Sequence, residues 1–518
     1  MAKFGEKNEK NNDVPPEHIE RVPTPENGGL DTAFAFLRDH DAIDTHHICL
    51  KALRRKLDWN LVPLMFCIHL TQALDSYLLN YAIVMGLPED LGLEGQQLSN
   101  IASSIKWVHL AACAVVGLFL NKFPISTSLG WAMMTWGVLN ACTAAVQKYP
   151  QMLAIRILMG VFDSMFHPVM MLVTSQFYRK DEQIVRFQLW WCSQGFGTII
   201  GALISYGFQF VNGGGMESWR IMYLVLGCWT LIISIWTLWC LPNSPMAAKF
   251  LSTEEKVALL RHIAPNQTGV NNHKIRPKQI LDIFRDPQVG LLCSLVIITG
   301  FGVGIMSNFS STLIKSFGYS SKEATLLSAP GGAVAILVCF LSTWVVRREY
   351  LRRWSALGIC YTIAFVGSCL VAFSPKNNEA AHLVGLYLFD FSTATVGIKF
   401  QWNAANIAGH TKRPMTMAFL GASFTIGMIA GPYAVQKKDA PDYFTAKYSL
   451  VGSKGGCMVL VCMLALYYLL ANRSKDRKFG KQRDLVTDLN DSRSEEESLE
   501  GKWANLTDKE RPTFRYIY

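Results

Sequence analysis

Twelve runs of about 20 mainly apolar residues, separated by polar breaks, constrain this chain more than any other feature. A run of that length spans the hydrocarbon core of a bilayer as an α-helix. Only 17% of the 518 residues are charged, whereas a soluble domain carries about 25%. The sequence therefore predicts an all-α, multi-pass membrane protein. We place the spans at residues 59–85, 99–120, 126–146, 152–177, 187–211, 221–241, 289–314, 324–346, 354–373, 381–404, 415–435 and 450–471.

The positive residues predict how the chain is oriented. The net charge is +10, but Lys and Arg are dispersed between the apolar runs, which argues against a nucleic-acid partner. If both termini are inside, the basic clusters at 51–56, 179–180, 347–353 and 412–413 also lie inside, as the positive-inside rule requires. We therefore expect cytoplasmic termini and a plasma-membrane location.

The spans fall into two groups of six around a long polar segment. Within that segment, residues 252–255 have capping-box spacing ahead of an amphipathic run through Ile263, and a second short helix is expected up to Phe284. Two six-helix bundles joined in this way are typical of secondary transporters, in which the site lies between the halves near the midplane. The predicted parts are an N-terminal tail (1–57), a first bundle (58–241), a cytoplasmic connecting segment (242–287), a second bundle (288–472) and a C-terminal tail (473–518).

No motif indicates a cofactor, a metal or an enzyme. The 13 cysteines sit mostly singly in apolar runs, without a CxxC pair. The glycine-rich stretches 195–201 and 421–432 lie within predicted spans and lack the Lys-Ser/Thr of a phosphate loop. Their small residues instead allow close helix contact. No nucleophile with a neighbouring base is found, so we expect neither an enzyme nor a bound cofactor.

Polar residues form stripes on two predicted spans. On the first span, His69, Gln72, Ser76 and Asn80 recur at helical spacing with Asp75 beside them; on the fourth, Arg156, Gly160, Asp163 and His167 do the same. A charged side chain within a span costs about 2.5–3.5 kcal/mol and tends to face a cavity or a partner. The stripes therefore predict a wet central cavity, in which the i, i+4 pair Asp163 and His167 could share a proton or a hydrogen bond.

Charged residues also occur on two further spans. Lys106 and His109 are three residues apart on the second span and share nearly one face. Asp390 and Lys399, on the tenth, are nine residues apart, so on a regular α-helix they point in opposite directions, and we expect one of them to be structural or near an interface. Any of these charges could also serve only to lock helices together. The candidates for substrate binding or proton coupling are Asp75, Ser76, Asn80, Lys106, Arg156, Asp163, His167 and Asp390.

Several motifs resemble one family. The stretches DSYLLNYAIVMGL (75–87), AIRILMGVFDSMFHP (154–168) and FYRKDEQIVR (177–186) are similar to motifs of the fungal allantoate permease branch of the major facilitator superfamily, the anion:cation symporters. The most specific matches are AKFLSTEEK (248–256) and NIAGHTKR (406–413). The resemblance covers roughly residues 58–472. It implies the major facilitator fold and proton-coupled uptake of a small organic anion, ureide, vitamin or similar carboxylate.

The chain departs from the pattern of the branch at a few positions. Ser76 replaces the basic residue that usually follows the first-span Asp, Cys113 replaces an acidic residue, and Lys106 stands where the branch has an aromatic or apolar residue. The loop 117–123 also lacks the acidic residue of the wider superfamily's gating motif. We hypothesise that Lys106 now supplies the positive charge of the cavity, balanced by Asp75 or Asp163, and that Asp75 takes part in proton coupling.

Three functions remain open from the sequence. The first is a monomeric importer that couples a proton to a small anionic or zwitterionic substrate. The second is an exporter of a fungal specialised metabolite on the same scaffold. The third is a receptor without transport, or an enzyme.

Overall fold

A computed structural model describes residues 36–37, 39–40, 43, 47–211, 215–263, 282–347, 351–375, 377–407, 412–479 and 514–516. In these ranges every predicted span is helical, and nine helical stretches are long and apolar enough to cross a membrane. Spans 2, 3 and 5 complete the twelve. The bounds are Leu50–Val84 (span 1), Gln97–Lys122 (2), Ile125–Cys142 (3), Tyr149–Phe177 (4), Lys180–Trp191 with Ser193–Phe208 (5), Ser218–Cys240 (6), Pro287–Lys315 (7), Ser321–Leu326 with Ala329–Arg347 (8), Arg353–Phe373 (9), Glu379–Phe389 with Thr395–Asn406 (10), Lys412–Ala430 (11) and Phe444–Phe479 (12).

Many boundaries differ from the predicted ones by a few residues, and spans 1, 12 and 10 show the physical reasons. Span 1 begins at Leu50 rather than at residue 59, because the basic segment before the apolar run continues the helix. Span 12 continues to Phe479 in the same way. Span 10 is interrupted by a 3₁₀ turn at Asp390–Ala394, so it is not one regular helix. Hydropathy locates the membrane-embedded part of a helix but not its polar extensions.

The connecting segment contains the predicted helix at Thr253–Ile263. The hydroxyl of Ser252 accepts from the backbone N–H of Glu255 at 3.2 Å, and the Glu255 carboxylate accepts from the backbone N–H of Ser252 at 2.8 Å. This reciprocal pair confirms the capping box. The Lys56 ammonium, on the extension of span 1, lies 2.6 Å from the Glu255 carboxylate and ties the helix to the first bundle. Most of the second predicted short helix lies outside the described residues.

The helices pack as two bundles that meet along three pairs of spans. Within the first half, span 3 packs on span 6, span 2 on span 4 and span 1 on span 5; within the second, span 7 packs on span 11 and span 9 on spans 10 and 12. The halves meet where span 1 contacts span 7, span 2 contacts span 11 and span 5 contacts span 8. Spans 1, 2 and 5 therefore face spans 7, 8 and 11 across the molecule.

Small residues allow the close approaches predicted for the glycine-rich stretches. A Cβ at Gly427 of span 11 would clash with the backbone oxygen of Ile297 of span 7, and one at Gly195 of span 5 would lie 2.6 Å from the backbone oxygen of Gly332 of span 8. Because backbone atoms cannot withdraw as a side chain can, larger residues at these two positions would push the spans apart. The second contact joins the two halves.

We call the side of the membrane on which span 1 begins the proximal side and the opposite one the distal side. Because the number of spans is even, span 12 ends on the proximal side as well. Asn80, near the distal end of span 1, donates to the hydroxyls of Ser310 and Ser311 of span 7 at 3.1 and 3.0 Å. Ser99 and Ser103 of span 2 donate to backbone oxygens of Pro432 and Ile429. The two halves are thus joined by hydrogen bonds at the distal side.

Candidate functional site

The carboxylate of Asp163, in the middle of span 4, is the centre of the candidate site. One oxygen accepts from the Lys106 ammonium of span 2 at 2.8 Å and from His109 Nδ1 at 3.0 Å. The other accepts from the Gln72 amide of span 1 at 3.0 Å. Three spans thus converge on one buried carboxylate, which matches the rule that charges in a membrane are paired. Asp75 and Asp163 were the two partners considered for Lys106, and the structure places Lys106 in contact with Asp163.

The members of this ion pair differ in their access to solvent. The Asp163 side chain is 3% exposed, whereas the Lys106 side chain is 21% exposed. The cation is therefore the less buried member of the pair.

His167 lies one turn from Asp163, but the described contacts between them run through Gln72. The Gln72 amide nitrogen is 3.0 Å from Asp163 Oδ1 and 3.5 Å from His167 Nδ1. His69 packs edge-on against His167, with ring centroids 5.6 Å apart, and its Nδ1 is 2.7 Å from the hydroxyl of Ser193 on span 5. The polar contacts of span 1 therefore continue across spans 4 and 5.

Asp75 lies apart from this chain of contacts, in the interior of the first bundle. It is 5% exposed, and its carboxylate accepts from the Asn140 amide of span 3 at 2.9 Å. The charges of Arg156, Asp163 and Lys106 all act on it. Arg156, 4% exposed, donates to the Tyr223 hydroxyl of span 6 at 2.8 Å. Asp75 is thus a buried acid with a neutral hydrogen-bond partner and with cations in its vicinity.

Two candidates from the stripe of span 1 have other contacts. The Ser76 hydroxyl donates to the backbone oxygen of Gln72 on its own helix at 2.9 Å. Asn80 bridges to span 7 through its amide, and its oxygen also accepts from the backbone N–H of Ser311 at 3.0 Å. Asn80 therefore belongs to the distal closure rather than to the cluster around Asp163.

The second half has its own charged group. Asp390, at the 3₁₀ turn of span 10, is partly exposed, and the charge of Lys454 acts on it. Lys454, fully buried on span 12, donates to the Ser392 hydroxyl at 2.9 Å and lies 4.0 Å from the centroid of the Phe389 ring. Lys399 is 1% exposed, and its ammonium has no hydrogen-bond partner in the described part of the chain. Of the three charged side chains Asp390, Lys399 and Lys454, Asp390 is therefore the partly exposed one.

Three contributors to the site were not singled out from the sequence. Asn140 and Tyr223 are uncharged residues in apolar runs, and nothing in their spacing marks them as partners of Asp75 and Arg156. Lys454 lies near the start of the predicted run 450–471, where a lysine usually turns its ammonium out to the membrane surface. Its position near Asp390 becomes visible only once spans 10 and 12 are in place.

These features can be compared with known proteins. A model of the Major Facilitator Superfamily matches residues 65–432. The chain belongs to the Major Facilitator Superfamily. It is 30% identical over 479 residues to the thiamine pathway transporter THI73 of Saccharomyces cerevisiae, a match that covers 92% of this chain and 87% of that protein. It is also 30% identical over 480 residues to the allantoate permease of the same yeast, with 90% and 86% coverage.

The fold agrees with the membership. A crystal structure of a D-xylose-proton symporter superposes on this facilitator with a TM-score of 0.63 and 13% identity, over 78% of this chain and 97% of the symporter. At that identity the likeness concerns the fold alone. This confirms the predicted twelve helices in two six-helix bundles. The protein is a secondary transporter and a multi-pass membrane protein, not an enzyme.

Proposed function

We propose that this facilitator takes up a small organic anion or zwitterion, such as a ureide or a vitamin-type carboxylate, together with a proton. The observation that carries the proposal is the ion pair of Lys106 with Asp163, of which the cation is 21% exposed and the carboxylate 3%. A carboxylate or ureide group of the substrate is the natural second partner for an exposed ammonium. The relatives named for allantoate and for the thiamine pathway support the class of small polar substrates.

The proposed coupling follows from partner exchange. When the substrate binds Lys106, the buried carboxylate of Asp163 loses its cation and keeps only His109 and Gln72 as donors. An uncompensated buried charge is strongly unfavourable, by several kcal/mol. Taking up a proton relieves this cost, so binding of the anion and binding of the proton favour each other. Asp75 is another buried acid of the same half, and we retain it as a participant in proton coupling.

Transport by purified protein in liposomes tests the proposal. Radiolabelled allantoate and a panel of carboxylates are offered with and without an inward proton gradient. We expect gradient-driven accumulation of an anion, and expect Lys106→Met to abolish it. Lys322→Met, which removes a half-buried lysine at the start of span 8, is the matched control. Uptake that does not depend on the proton gradient, or full activity of Lys106→Met in folded protein, contradicts the proposal. Transport that is detected only in the outward direction favours the exporter.

A compensating variant tests whether Lys106 supplies the positive charge that a basic residue of span 1 supplies in the family pattern. Ser76→Lys combined with Lys106→Phe returns the basic residue to span 1 and the aromatic residue to span 2. Residues 76 and 106 both lie in the first half. Gln72 lies between them, because its backbone oxygen accepts from the Ser76 hydroxyl and its side-chain amide donates to Asp163, the partner of Lys106. We expect partial recovery of uptake relative to Lys106→Phe alone. If the double variant is as inactive as the single one, Lys106 has a role that its charge does not explain.

A further inference from the structure

A cavity of about 360 Å³ lies between the two halves on the distal side, away from the Asp163 cluster. Its volume is within the range of small-molecule sites, about 300–1,000 Å³. Residues Ile83 and Leu98 of the first half and Phe309 and Val435 of the second form apolar walls. The cavity therefore belongs to neither bundle alone and exists only while the halves are together at this side.

Two polar groups of the cavity, Thr312 and Lys315, lie on span 7. Thr312 lines it, and its hydroxyl is buried without a hydrogen-bond partner in the described ranges. One turn further, Lys315 also lines it, is exposed, and has no carboxylate within ion-pair distance among the described residues. Lys437, on the rim, already donates to the backbone oxygen of Leu93 at 3.3 Å. Glu89 supplies the one carboxylate of the lining, so cations outnumber anions there.

We propose that this cavity binds a small amphipathic carboxylate and that the ligand holds the distal side closed. The apolar body fits the walls, the carboxylate fits the Lys315 ammonium, and the Thr312 hydroxyl can donate to it. This ligand site is separate from the transport site, and the inference does not depend on the identity of the transported substrate.

The closing effect follows from the position of the walls. When the distal side opens, as alternating access requires, spans 1 and 2 separate from spans 7 and 11. The hydrogen bond of Ser99 with the Pro432 backbone oxygen, at 3.1 Å, then breaks, and a ligand that touches both halves loses half of its contacts. A ligand that binds only one of two states shifts the population towards that state. The bound carboxylate therefore slows transport.

Octanoate is the probe, and thermal unfolding of the purified full-length protein in detergent is the first readout, since it needs neither substrate nor proton gradient. We expect octanoate to raise the melting temperature, whereas 1-octanol, which lacks the carboxylate, does not. Lys315→Gln and Thr312→Val should each require several-fold more octanoate for the same shift. Lys322→Gln, at a half-buried lysine near the distal start of span 8 that does not line the cavity, should respond like the wild type.

The second readout is uptake into proteoliposomes with octanoate added on the distal side. We expect the maximal rate to fall, with half-inhibition shifted about tenfold upward in Lys315→Gln. Three results overturn the inference: no stabilisation by octanoate, equal stabilisation by 1-octanol, or an unchanged response in both Lys315→Gln and Thr312→Val. Stabilisation of the protein by octanoate in a preparation that transports no anion would leave this site supported and the proposed function refuted.

Discussion

The pairing of Lys106 with Asp163 makes a quantitative prediction for a double-mutant cycle. Removal of one partner of a buried ion pair costs about 3–5 kcal/mol. For Lys106→Met we expect the low end, about 3 kcal/mol, because His109 and Gln72 still donate to Asp163 at 3.0 Å each. Asp163→Asn should cost only about 1 kcal/mol, because the 21% exposed Lys106 side chain can reach water.

The double variant Lys106→Met/Asp163→Asn removes both charges together, so it should be more stable than the two single effects predict, with a coupling energy of about 2 kcal/mol. Unfolding in mixed micelles, followed by far-ultraviolet circular dichroism, measures the four free energies. Lys322→Met serves as the reference for loss of a half-buried lysine outside this ion pair. Additive single effects, within about 0.5 kcal/mol, would show that the two groups do not depend on each other and would remove the basis for partner exchange.

Three further predictions concern other parts of the chain. Asp75→Asn should abolish proton-driven accumulation but should retain exchange of substrate across the liposome membrane. Unchanged accumulation would show that Asp75 takes no part in the coupling. Burial raises the pKa of Glu255, but hydrogen bonds from Lys56 and Ser252 outweigh it and lower the pKa overall. The ionised Glu255 carboxylate contributes less than about 1 kcal/mol to the stability, as is usual for such a surface pair. This stabilisation is present at neutral pH and is lost as the pH falls through the lowered pKa. The melting temperatures of the wild type and of Glu255→Gln should therefore converge in acid. Tyr516, 4% exposed, stacks on the Tyr468 ring with centroids 5.2 Å apart, and Tyr516→Ala should cost about 1–3 kcal/mol of stability, seen as a lower melting temperature.

The number of spans and their grouping could be predicted because the bilayer fixes the length of an apolar helix. The stripes were predictable for a related reason, since helical periodicity places Gln72, Asp163 and His167 on the polar faces of their own spans. Periodicity does not show which helices those faces meet. The partner of Lys106 therefore stayed open between two carboxylates until spans 2 and 4 were in contact.

Two cases show that the residue pattern of a single helix is not sufficient to predict its contacts. Asn80 continues the stripe of span 1, but about two turns beyond Gln72 the same face meets span 7, so its amide closes the distal side. Asp390 and Lys399 were compared on a regular helix, yet a 3₁₀ turn lies between them and Lys454 of span 12 acts on both. Both outcomes depend on contacts between distant parts of the chain, which a local pattern does not contain.

The charges of the described membrane interior bear on why an anion should travel with a proton. In the first half the carboxylates of Asp75 and Asp163 face the cations Lys106 and Arg156, so this half is balanced when empty. An anion bound alone would add a net negative charge to a region where an unbalanced charge is costly. In the proposed coupling, a proton on Asp163 would restore the balance, because Lys106 would then pair with the substrate. The loaded site would be as neutral as the empty one, so both would pass through the closed states of the cycle at a lower cost than a site that holds only the anion or only the proton.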